Sequence, residues 1–207
     1  MIVFIAMVLV AGIAASVLVQ TANRLEIQAM QTGDQTRQEV STGIRVCDIE
    51  GQYSDRHINA SGTWHNHTRI HNMTITIAPR AGSGDIDLDE AVLEISNSSV
   101  KCILTWDGST YANSVSSSGV FATSAFELSA NEFGIIELED ADSSSSSSDP
   151  VINRGDRVML TVNLTACFWG LPERTDVWGM VIPEEGAPGI FAFRTPSSYS
   201  DIVYDLY

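Results

Sequence analysis

Lysine is almost missing from this sequence: Lys101 is the single one among 207 residues, and 11 basic side chains stand against 26 acids, for a net charge of −15. Nucleic-acid binding needs basic side chains to displace phosphate counterions, so that class of partner is excluded. Cysteine is scarce as well. Cys47, Cys102 and Cys167 form no CxxC pair, which removes zinc ribbons and thioredoxin-like redox motifs. Outside the cell an odd count permits one disulfide and one spare thiol; the spacing leaves the pairing open, and three free thiols are equally compatible with it. No GxSxG elbow, P-loop or HExxH is present, and no nucleophile sits beside a base in the sequence. The residues therefore point to a non-enzymatic role.

Charge is also missing from the first nineteen residues, MIVFIAMVLVAGIAASVLV. As a helix this run is about 29 Å long, the thickness of a bilayer core. Ile2, Val3, Phe4, Ile5, Met7, Val8, Leu9, Val10, Ile13, Val17, Leu18 and Val19 are its twelve large apolar side chains. At about 1.5–3 kcal/mol each, burying them is worth roughly 18–36 kcal/mol before entropic costs. Water cannot be their final environment. A cleaved signal peptide would need a positive leading region, which is missing. That leaves a membrane anchor bearing an exported domain, or a helix that crosses the membrane and is then buried among copies of itself. Ala6, Ala11, Gly12, Ala14, Ala15 and Ser16 would let helices approach closely. From Gln20 to Val46 no proline or turn cluster interrupts the chain, and Leu25, Met30, Val40 and Ile44 continue a weak apolar stripe, so the spacing predicts one helical segment over 1–46.

From about Cys47 the period changes to two. In VMLTVNLTACF, Val158, Leu160, Val162, Leu164, Ala166 and Phe168 are expected to face inward, with Asn163 and Cys167 outward. In NMTITIAP, Met73, Ile75 and Ile77 face inward and Asn72, Thr74 and Thr76 outward. AVLEIS (91–96), VKCILTW (100–106), GVFATSAFEL (119–128), FGIIEL (133–138), VWGMVI (177–182) and GIFAFR (189–194) are further strand candidates. The fold class is thus α+β: a long N-terminal hydrophobic α-helix followed, over 47–207, by an antiparallel Ig-like β-sandwich. EDADSSSSSSDP (139–150) reads as a mobile exposed loop.

Five sequons, at Asn59, Asn66, Asn72, Asn97 and Asn163, indicate an exported, N-glycosylated surface; three of them crowd into Asn59–Thr74. No cofactor is expected. Two clusters could hold a metal ion. His65 and His67 form an H-x-H pair near His71, but polar residues beside glycan sites explain them more simply. Asp85, Asp87 and Asp89, with Glu90, alternate with apolar residues, yet lack EF-hand spacing and read more simply as a half-exposed strand.

Several stretches together resemble the archaellins, the archaeal flagellins: IVFIAMVLVAGIAASVLVQTA followed by LEIQAMQTGDQTRQEVSTGI, then RAGSGDIDLDEAVLEI, NRGDRVMLTVNL, and VIPEEGAPGIFAFRTPSSYSDIVYDLY with its GAP turn. They span both ends and the middle of the chain. The resemblance implies an extracellular subunit of the archaellum, an archaeal motility filament. Its helix would pack with copies of itself in the filament core, and its sandwich would form a glycosylated outer shell. It further implies a precursor with a basic leader removed by a prepilin-peptidase-like enzyme, and a transient passage through the membrane. The remaining implied partners are sister archaellins, a membrane platform and motor at the filament base, and surfaces met in cell adhesion. Further residues usually precede the apolar block in this family, whereas here Met1 does. A type IV pilin-like adhesin and a monomeric membrane-anchored ectodomain are the alternatives. Pilins usually carry an acid early in the helix; here the first is Glu26.

Overall fold

The computed structural model describes the backbone of every residue except 61 and 62, and the side chains of all but 55–67. The chain divides into two compact units, Met1–Glu39 and Val40–Tyr207.

Apart from Met1, the first unit lies within helix α1, Ile2–Ser41. Its interior has no proline, and two of its hydroxyls are absorbed by the backbone: Thr21 Oγ1 donates to the Val17 carbonyl and Thr36 Oγ1 to that of Thr32. The helix stops five residues short of the expected 46. The cause lies in the following backbone groups, which are bonded elsewhere. The Thr42 carbonyl accepts the Ala187 N–H, and the Ile44 N–H donates to the Ala187 carbonyl. Ile44, expected on the helical stripe, is fully buried as the first residue of a strand.

The second unit is a β-sandwich. One sheet has six strands: β1 (Ile44–Ala60), β2 (Thr63–Pro79), β6 (Tyr111–Ala112), β7 (Phe133–Glu139), β10 (Arg157–Asn163) and β13 (Val203–Asp205), in the order β13-β1-β2-β10-β7-β6. The other has four: β4 (Val92–Asn97), β5 (Lys101–Thr105), β11 (Asp176–Ile182) and β12 (Gly189–Arg194), in the order β12-β11-β4-β5. A small third sheet joins β3 (Ile86–Asp87), β9 (Asp149–Ile152) and β8 (Ser145–Ser146). The pairings between these strands are antiparallel except that of β6 with β7, and two isolated bridges, Gly43 with Ala187 and Thr105 with Glu132, are also parallel. Inward residues of the two large sheets form one core, with Met73, Ile75, Leu160 and Ile135 on one side and Leu93, Ile95, Leu104 and Phe191 on the other.

Five expectations about this unit change. Thr74 and Thr76 are buried rather than outward-exposed, because the second face of the six-stranded sheet is also covered. The cover is the segment 119–128, expected as a strand. It forms two 3-10 turns, Val120–Ala122 and Ser124–Phe126. Gly134 permits their close approach: a Cβ there would lie 2.2 Å from the Ala125 carbonyl oxygen, which also accepts the Thr161 hydroxyl.

The strand expected to run to Phe168 ends at Asn163 and turns into a short helix, α2 (Leu164–Phe168). Asn163 Oδ1 caps it by accepting the Thr165 N–H at 3.1 Å, and Trp169 in the left-handed region closes it. Leu164 and Phe168, four apart, bury one face. The helical turn exposes Ala166 and brings Cys167, expected outward, against the core.

The Ser-rich stretch 139–150 is a hydrogen-bonded turn and hairpin rather than an open loop. Asp140 Oδ1 accepts the N–H groups of Ser143 and Ser144, Oδ2 accepts that of Ser145, and Ser145 and Ser146 pair with Pro150 and Asp149. The half-exposed strand expected around Asp85–Glu90 shrinks to the two residues of β3.

Candidate assembly surface

None of the residues of α1 is buried. The twelve large apolar side chains from Ile2 to Val19 are between 56% and 84% exposed. Successive helical residues turn by about 100°, so Ile2–Ile5 and Met7–Val10 each point in nearly every direction around the axis. The surface is therefore apolar on all sides, not along one stripe. A helix of this kind needs cover all round, from lipid or from several other helices. By length and composition it is able to cross a membrane.

The surface is notched as well as oily. Gly12 and Ser16, four residues apart, open a groove flanked by Val8, Leu9, Ile13 and Val17. Ala6, Ala11 and Ala14 open another beside Val3, Met7 and Val10. A Cβ on Gly12 would meet nothing within 4 Å, so the notch is free to receive a neighbour's side chain. Toward its C-terminal end α1 becomes polar, with Leu25, Ile27, Met30 and Val40 as isolated exposed apolar residues.

The sandwich begins at a tightly bonded corner. Gly186, at φ +99°, places the GAP turn against Thr42; a Cβ there would lie 2.3 Å from the Thr42 carbonyl oxygen. Arg80 closes the corner by donating from its backbone N–H to the Gly43 carbonyl, from Nε to that of Ile44 and from Nη2 to that of Pro188. Ser83 Oγ accepts the Gly43 N–H. The sequence singled out the GAP turn but not Arg80, whose role appears only when the two ends of the unit meet.

The sequons separate into three groups. Asn59 and Asn66 lie outside the described side chains. Asn97 and Asn163 are half-buried and share one geometry: Asn97 Oδ1 accepts the N–H of Ser99, and Asn163 Oδ1 that of Thr165, each two residues on. Both amides spend their oxygen on the turn and leave Nδ2 outside it. Asn72, expected outward, is only 7% exposed. It sits on the central strand β2 opposite Gln52 and Asn163, and its Nδ2 donates to Gln52 Oε1 at 3.0 Å. A glycan at Asn72 would replace one Nδ2 hydrogen and force a sugar into this buried row, so the burial argues against this sequon.

Among the described residues, the suggested acidic ligands do not gather into a metal-sized cluster. Asp85 and Asp89 are exposed, and Asp87 Oδ1 caps its own turn by accepting the Asp89 N–H. Asp85 and Asp87 instead line a cavity of about 130 Å³ with Glu184 and Glu185. His65 and His67 lie outside the described side chains, while His71 is buried with Nδ1 2.8 Å from Thr165 Oγ1. Asp140, Asp142 and Asp156, missed in the sequence because Asp156 is distant from the other two, bring their carboxylates within 4.8 Å of one another. Each is already engaged. Asp156 accepts the Asn153 N–H and Asp142 accepts Asn153 Nδ2, and this second bond, with help from Ser144, holds the Asp142 carboxyl below its ordinary pKa.

Comparison with known proteins agrees along the whole chain. The family model described as Archaeal-type flagellin matches residues 1–193. Flagellin B2 of Methanocaldococcus jannaschii is 41% identical over 201 residues, covering 96% of this chain and 87% of the relative. The crystal structure of archaeal flagellin FlaB1 from the same organism superposes with a TM-score of 0.67 at 29% identity, over 80% of this chain and 96% of that one. The archaeal flagellum of Methanospirillum hungatei, at 14% identity, shares the fold with a TM-score of 0.61 over 99% of this chain and 94% of its own. The adhesin and monomeric-ectodomain readings are not favoured by these relatives. The chain belongs to the archaeal-type flagellin family, and is a structural subunit of the motility filament on the archaeal cell surface.

Proposed function

We propose that α1 is the polymerising element, and that the sandwich forms the outer shell around a core of such helices. The observation that carries this is the all-round exposure of Ile2–Val19 on a helix with no buried residue. A one-sided apolar stripe would be satisfied by a single partner; this surface needs several. The helix passes through the membrane first, then exchanges lipid for identical neighbours. Contacts repeated without closure build a helical rod. Sister archaellins with the same apolar block share the rod. A membrane platform and motor turn it from the base, and a prepilin-peptidase-like enzyme releases the helix for assembly. Glycans on Asn97 and Asn163 clothe the shell, and an acidic, lysine-poor surface keeps neighbouring filaments apart by self-repulsion. The role is structural rather than catalytic.

Shearing cells and probing the sheared fraction tests the proposal directly. Long fibres containing this chain, and loss of swimming in a deletion strain, are the expected results. Recovery of the chain only as dispersed molecules in lipid would overturn it.

A further inference from the structure

We infer that Cys102 and Cys167 form an intramolecular disulfide that staples the two large sheets together, with Cys47 as the free thiol. Cys102 lies on the inward face of β5, the edge strand of the four-stranded sheet, and is only 8% exposed. Cys167 lies in α2, which continues directly from β10 of the six-stranded sheet, and packs on the same core. Cys167 packs against the buried cluster to which Cys102 belongs, near enough for the two thiols to influence each other, although 65 residues separate them in sequence and they belong to opposite layers. Were the chain to continue as a strand past Asn163, alternation would turn Cys167 away. The Asn163 cap and the helical turn direct it inward. Cys47 differs in kind: it is exposed, and it sits at an irregularity in the pairing of β1 with β2. An extracellular filament subunit works where disulfides persist.

The chemistry needs an oxidant, which a low-molecular-weight disulfide, RSSR, supplies. Cys167, the more accessible thiol, loses its proton and attacks RSSR, forming a mixed disulfide and releasing RS⁻. The Cys102 thiolate then attacks the Cys167 sulfur and displaces the second RS⁻. Two cysteine thiols are oxidised, one RSSR is reduced, and the two protons leave as two RSH. Burial, reinforced by the neighbouring Cys102, pushes the Cys167 thiol far above its ordinary pKa. Thiolate is therefore scarce in the folded unit at neutral pH. The exchange runs mainly while the unit folds, and in the folded unit it quickens as pH rises. Once formed, the bond closes a loop of about 65 residues and is worth roughly 10 °C in melting temperature for a unit of this size.

The test uses the full chain in detergent micelles, unfolded under reducing conditions and refolded in a mixture of reduced and oxidised glutathione. Remaining thiols are then alkylated and the peptides read by mass spectrometry without reduction. The expected product is one cross-linked pair containing Cys102 and Cys167, two hydrogens lighter than the separate peptides, with Cys47 alkylated. Adding reductant lowers the melting temperature of the oxidised protein by about 10 °C. Cys47→Ser keeps both the link and the reductant sensitivity, whereas Cys102→Ser and Cys167→Ser lose both. Alkylation of all three cysteines after refolding, a link that includes Cys47, or melting indifferent to reductant would each overturn the inference. The wild-type and Cys47→Ser proteins decide the matter even if the two core variants fold poorly.

Discussion

Replacing Val8 with aspartate puts a charge near the centre of the apolar block, beside the notch made by Gly12 and Ser16. In a covered helix the charge costs about 2.5–3.5 kcal/mol, and loss of the buried valine adds about 1.5 kcal/mol. Together they weaken each subunit's place in the core by about 4–5 kcal/mol. That is roughly a thousandfold in the concentration needed to sustain a fibre, since each 1.4 kcal/mol is tenfold. The remaining eleven large apolar residues, at about −0.3 to −0.6 kcal/mol each, still favour entry into the membrane. The expected phenotype is therefore Val8→Asp protein present in the membrane fraction and absent as fibres from the sheared fraction, by immunoblot and negative-stain microscopy. Because α1 buries no side chain, the thermal transition of the sandwich should shift by less than about 0.5 kcal/mol. Val8→Ile, which keeps the surface apolar, should assemble normally. Fibres of ordinary number and length from Val8→Asp would refute the claim that this helix is the assembly element.

Three other outcomes follow from the sandwich. Peptide mass spectrometry of native filaments should find glycan on Asn97 and Asn163 and none on Asn72; a modified Asn72 would mean that the Gln52–Asn72–Asn163 row opens in the mature protein. Gly186→Ala combines a positive φ with a Cβ 2.3 Å from the Thr42 carbonyl oxygen, and should destabilise the unit by about 2–3 kcal/mol, seen as a fall of roughly 5–10 °C in melting temperature. Burial, then the nearby Asp48 and Asp205 carboxylates, raise the pKa of Glu50. A raised folded-state pKa means that protonation favours the folded form, an advantage present at low pH and lost as pH rises through that pKa. Glu50→Gln should therefore be more stable than wild type at pH 7 by a few tenths of a kcal/mol after solvent screening, with the gap closing below the unfolded carboxylate pKa; denaturant titrations at the two pH values check it.

Much of this architecture is legible from residue order. The apolar block announces α1, and the alternation of Leu93 with Ile95 and of Phe191 with Phe193 announces β4 and β12. What alternation cannot say is whether the second face of a sheet is covered. Thr74 and Thr76 sit on the predicted face of β2, yet are buried because 119–128 folds over them. That segment reads as a strand by composition, and only the opening at Gly134 reveals that it docks as turns. Asn163 shows the converse difficulty. Its sequon reading and its capping role use different atoms of one amide, and the second ends a strand that hydrophobic spacing would continue. Ser and Asp are as common in free loops as in turns where a carboxylate gathers N–H groups, so Asp140's role had no sequence signal. The bare surface of α1 is the easier half to read, because its hydrophobicity stands openly in the residue order.

The pairing of β13 with β1 has a consequence for biosynthesis. Glu50 lies opposite Asp205, some 150 residues further along, and the Leu206 N–H closes onto the Ile49 carbonyl. During translation one edge of the large sheet stays open until this distant strand has cleared the ribosome, long after the oily first helix has emerged. An unfinished polypeptide therefore lacks the closed sheet edge that the complete sandwich presents.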